Sequence, residues 1–112
     1  MVEVRSKRSG VDEAAYLNAA HLKLAGADHK VIANYLNARH GHESIALALH
    51  KVGFGEEKII SALNQKELGL TNADKARSLS MLVDNYKDLR FKKIGKEIEK
   101  LKTKRVSGLK QR

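Results

Sequence analysis

The stretch DHKVIANYLNARHG, residues 28–41, is written as one short amphipathic helix with its own start and stop. Asp28 offers a side-chain acceptor to the free amides of a first turn, Val31, Ile32, Tyr35 and Leu36 follow at helical spacing, and Gly41 closes the segment. The same pattern continues outward in both directions. Upstream, Asp12 and Glu13 suit the positive end of a first turn, Ala14, Leu17, Ala20, Leu22 and Leu24 supply apolar positions, and Gly26 ends the run. Downstream, a third helix runs from His42 or Glu43 through Ile45, Leu47, Ala48, Leu49 and Val52 to Gly53. A fourth opens at Gly55 with Glu56 and Glu57, places Ile59, Ile60, Leu63 and Leu68 inward, and ends at Gly69.

Thr71 or Asn72 caps a fifth helix, in which Ala76, Leu79, Leu82, Val83, Tyr86 and Leu89 keep a 3.6-residue rhythm. Phe91, Ile94, Ile98 and Leu101 then recur in a different phase, so a bend or a separate sixth helix is expected near Arg90. That break makes residues 91–112 read as a separable element, with fraying after Thr103. The fold class is therefore all-α, with five or six short helices and a basic C-terminal helix and tail. Composition agrees, because there is no proline, no tryptophan and only 4% aromatic residues, and the core must come from Leu, Ile, Val and Ala.

An internal echo appears when residues 28–41 are laid on EEKIISALNQKELG, residues 56–69. Both read acid, one residue, Lys, a β-branched residue and Ile, and both finish in glycine after a preceding apolar helix that itself ends in glycine. Two tandem helical repeats of about 27 or 28 residues are the implied arrangement.

The net charge of +9 is unevenly placed. Residues 1–10 form a basic arm at +2, residues 11–86 hold eight Lys and Arg against nine Asp and Glu, and residues 87–112 hold eleven against three. The organisation read from this is an arm over 1–10, a helical body over 11–90 and a basic helix and tail over 91–112. A neutral body carrying a strongly basic tail suits a polyanionic partner. The candidate nucleic-acid contacts are Lys92, Lys93, Lys96, Lys100, Lys102, Lys104 and Arg105.

Absence of cysteine removes disulfides, thiolate catalysis and thiolate metal sites, and points to a reducing cytoplasm. No stretch approaches the ~20 apolar residues of a membrane span, and MVEVRSKRSG is no export signal. No paired carboxylates, no hydroxyl beside a base and no glycine-rich phosphate cradle emerge, since Glu56 and Glu57 fit a first turn and Ser78 and Ser80 fall inside a helix. The expectation is a non-enzymatic protein without cofactor, metal, membrane or small-molecule substrate. His21, His29, His40, His42 and His50 lack metal-ligand spacing and read as surface histidines.

Residues 32–49, IANYLNARHGHESIALAL, offer a helix-turn-helix alternative, although the twelve residues from Ala33 to Ile45 exceed the compact motif and the second helix carries one lysine, Lys51. A structural or assembly protein that pairs as a homodimer through Phe91, Ile94, Ile98 and Leu101 is a further reading.

The stretch GHESIALALHKVGFGEEKIISALN resembles the tandem three-helix repeats of RecX-type recombinase regulators, through Gly41, Ile45, Leu49, Gly53, Phe54, Ile59 or Ile60, Ala62 and Leu63. Asp28, Val31, Ala33, Tyr35 and Arg39 resemble that family's first repeat, so the similarity covers residues 28 to about 90. It implies a non-enzymatic modulator lying along a RecA nucleoprotein filament.

Overall fold

Among the described residues there are six helices: α1 (Glu13–Leu24), α2 (His29–His40), α3 (Ile45–Lys51), α4 (Glu56–Leu63), α5 (Asn72–Asn85) and α6 (Lys92–Lys110). The computed structural model describes the backbone of residues 13–110 and the side chains of residues 13–102, and it contains no strand among them. The basic arm at 1–10 lies outside the described residues.

Asp28 caps α2 as expected, its carboxylate accepting the Val31 amide at 3.0 Å. Thr71 caps α5 in a reciprocal box: its hydroxyl accepts the Asp74 amide, and Asp74 accepts the Thr71 amide. Short 3₁₀ turns, His42–Ser44 and Lys66–Leu68, lead into α3 and out of α4.

The hinge of the architecture is α3, which packs against α1, α2, α4 and α5. Ile45, Ala46, Leu47, Ala48 and Leu49 are all buried, as a helix apolar on every side requires. Its second amide, Ala46, would be an orphan at the helix start; the fully buried Ser78 hydroxyl of α5 accepts it at 3.1 Å.

The internal echo is real in three dimensions, but its period is 27 residues. Gly26 and Gly53 stand at φ +98° and +104° in turns with the same bonding. The Ala27 amide donates to Leu22 and the Phe54 amide to Leu49, while the Gly26 amide donates to Lys23 and the Gly53 amide to His50. Ile32 and Leu36 in α2 answer Ile59 and Leu63 in α4, all four buried. The 28-residue overlay of the two sequences slips by one, matching buried Ile32 to Ile60, which is only half-buried.

Three expectations need correction. In α1 the buried face is Ala15 and Ala19, whereas Leu17 and Leu24 are 50% and 87% exposed; the helix lies on α2 and α3 through its smallest side chains. Next, α4 stops at Leu63 instead of reaching Gly69. The Gln65 backbone is extended, and its side-chain amide donates to the carbonyls of Ala62 and Lys30 while accepting from Asn34, so it closes α4 and clasps α2 together. Finally, α5 ends at Asn85 and leaves Leu89 49% exposed in the turn that follows.

The bend near Arg90 is present, and the part of α6 that follows it packs into the core. Ile94 is fully buried and Leu101 nearly so, against α4 and α5, and Phe91 and Ile98 pack beside them. Glu56 of α4 accepts the Ile94 amide at 3.1 Å and so caps the sixth helix from across the fold. The helix also continues past Thr103 to Lys110. Ile94 and Leu101 of this segment are thus part of the core itself.

Candidate nucleic-acid interface

With Ile94 and Leu101 turned inward, the opposite side of α6 faces solvent. Lys92, Lys96 and Lys100 recur every four residues and make one row along the helix, with Lys93 beside it, all exposed. Lys102 is exposed as well but falls off that row, two residues and over half a turn beyond Lys100. The side chains of Lys104 and Arg105 lie outside the described residues. Among the described residues no carboxylate pairs with Lys92, Lys96, Lys100 or Lys102.

Lys93 differs from its neighbours. Its ammonium pairs with Glu57 of α4, and that hydrogen bond raises the lysine above its ordinary pKa and lowers the glutamate below its own. Both groups are exposed, so the pair tethers α6 weakly and its charge stays open to a stronger anion.

A second feature adjoins this row and was not visible in the sequence. Lys23 from α1, Lys58 from α4 and Lys93 from α6 line one open cleft of about 470 Å³, floored by Gly53, Phe54 and Gly55. The Lys23 ammonium donates to the Val52 carbonyl at 2.6 Å and stands 5.1 Å from the centre of the Phe54 ring. Lys58 stands 6.0 Å from the same ring, and the His29 ring lies 5.9 Å away.

His21 is exposed, and the other four histidines are partly buried at the surface of the fold. His50 meets Tyr86 and Phe91 edge-on at 4.6 and 5.5 Å, where α3, the end of α5 and the start of α6 converge. Burial holds it below the ordinary imidazole pKa, and His29 is lowered for the same reason. His42 approaches Asp74 at 3.6 Å, and His40 bonds Asn18. Among the described residues no group of three His, Asp or Glu side chains could hold a metal.

The interior position of α3 leaves the helix-turn-helix segment without a second helix free to enter a groove. Likewise the seam of Ile94, Ile98 and Leu101 is covered by α4 and α5 within one chain, leaving little for pairing between copies. Among the described residues no helix is long and apolar enough to cross a membrane. No family model, no curated protein and no solved structure matches this chain.

Proposed function

We propose that the protein is a non-enzymatic regulatory factor that binds DNA, bare or within a protein filament, through the exposed face of α6. The observation that carries this reading is the row Lys92, Lys96 and Lys100, unpaired among the described residues and backed by a helix face anchored in the core. A rigid row of ammonium groups neutralises phosphates without the ordering cost that a loose tail would bear. Lys102, Lys104 and Arg105 add to the positive charge of the same segment of the sequence. The filament form of the reading comes from the resemblance to RecX-type regulators, and two stacked helix hairpins of one period suit contact with a repeating polymer.

The test is a fluorescence titration of intact protein and of a variant with Lys92, Lys96 and Lys100 changed to Gln, against single-stranded and duplex DNA at low salt. Intact protein binds and the variant loses most of its affinity while keeping its helical spectrum. Equal binding by the two removes α6 as the interface. Added to a RecA filament on single-stranded DNA, intact protein changes the DNA-dependent ATPase below stoichiometric amounts; no change at equimolar protein removes the filament form.

A further inference from the structure

The cleft at Phe54 has features that the fold itself does not call for. Gly55 has φ −79° and ψ 173°, a conformation open to any residue, and a Cβ there would meet no atom within 4 Å. Neither turn geometry nor packing asks for glycine. As the residue before α4 it also provides no side-chain cap to the first-turn amides, and Glu56, Glu57 and Lys58 of that turn line the cleft. Around them stand two lysines near one phenylalanine ring, and a third, Lys93, that belongs equally to the row on α6.

The acidic residues of the rim are already engaged. Glu56 accepts the Ile94 amide and Glu57 pairs with Lys93, so both carboxylates are drawn toward α6. What remains is the Phe54 ring with the Lys23 and Lys58 ammonium groups over it, a place a base would take as those lysines turn to its phosphate, and a helix start with no side-chain cap. The cleft volume of about 470 Å³ lies within the range of small-molecule sites. A ring for a base and cations for its phosphate are the elements by which proteins hold unpaired nucleotides.

We infer that this cleft binds one nucleotide unit of a single-stranded nucleic acid, the base stacked on Phe54 and the phosphate held by Lys23, Lys58 and the first turn of α4. The inference rests on the reading of α6 as a nucleic-acid surface, since Lys93 carries the strand from the α6 row into the cleft. A duplex keeps its bases paired and stacked, so the cleft adds affinity only for single strands.

Two variants test it, one in open space at Gly55 and one at Phe54, whose ring is partly buried against the core, so the thermal stability of both is measured beside their binding. Phe54→Leu keeps an apolar side chain and removes the stacking face. Gly55→Ser fills open space and gives α4 a capping hydroxyl, so thermal stability holds or rises while the amides become occupied. Against oligothymidylate, Phe54→Leu should bind about five- to a hundredfold more weakly, the range of one lost stacking contact, and Gly55→Ser should also bind more weakly, both with duplex affinity unchanged. Single-strand affinity unchanged in both variants overturns the cleft; if the Gln variant of α6 still loses binding, the α6 reading stands alone. Equal losses on duplex and single strand, or thymidine monophosphate binding as tightly as the oligonucleotide, also overturn it. Failure of intact protein to bind any DNA removes both readings.

Discussion

Replacing Ile94 by Ala measures how firmly the basic helix belongs to the body. Ile94 is fully buried in the core formed with α4 and α5. Truncation removes three carbons, worth about 0.8 kcal/mol each in lost transfer free energy. The cavity left behind adds to that, because neighbouring side chains relax only in part, and the sum falls at about 3–4 kcal/mol, within the range for such truncations. A domain of this size has about 5–15 kcal/mol of stability in all, so the loss is large. Leu89→Ala, at a side chain 49% exposed, is the control and should cost less than about 1 kcal/mol. Urea unfolding followed by far-ultraviolet circular dichroism reads both. A single transition whose midpoint drops for Ile94→Ala alone supports integration. A main transition left in place, preceded by a small separate loss of helix, refutes the reasoning and restores α6 as an appendage.

Ser78→Ala leaves the Ala46 amide buried without an acceptor and should cost about 1–3 kcal/mol by the same unfolding measurement. Gly26→Ala places a Cβ at φ +98° with no atom within 4 Å, so its cost is conformational alone, about 1–2 kcal/mol. Gly53→Ala should cost at least as much, because its Cβ would also meet the Lys23 ammonium at 3.1 Å. Burial lowers His50 below its ordinary value, so the unfolded chain binds this proton more readily than the folded one. The corresponding stability is full above about pH 6.5 and falls as pH drops through the unfolded pKa toward the folded one. Thermal melts of intact protein and of His50→Gln across that window should show a flatter pH dependence in the variant.

Much of this architecture can be read from single residues. Asp28 and Thr71 announce helix starts through groups that can reach backbone amides, and Ile45, Leu47, Ala48 and Leu49 announce a third helix, whose interior place only the packing shows. The phase of α1 was harder to read. Hydrophobicity ranks Leu17 and Leu24 above Ala15 and Ala19, whereas packing against α3 selects the small residues. The internal echo slipped by one because Val31, Ile32, Ile59 and Ile60 are interchangeable by type, and only burial and turn bonding tell 27 from 28. The early end of α4 depends on Gln65 reaching Lys30 and Asn34 on α2, a contact that no local pattern contains.

The same distinction divides the candidate site. The lysine row of α6 is legible because its residues are neighbours on one helix and share a spacing of four. The Phe54 cleft is not, because Lys23, Lys58 and Lys93 are brought together only when α1, α4 and α6 have packed. Glu56 is similar: in the sequence it suits the start of its own helix, and in the fold its carboxylate caps another.

The central claim is that the α6 row meets phosphates, and counterion release measures it most directly. Each phosphate contact on a single strand contributes about 0.7 to the slope of log affinity against log salt, so three lysines contribute about 2. Affinity for single-stranded DNA, titrated at several salt concentrations, should fall with salt more steeply for intact protein than for the variant with Lys92, Lys96 and Lys100 changed to Gln, by about that difference in slope. Parallel lines for the two proteins, or no binding by intact protein at the lowest salt, would contradict the account.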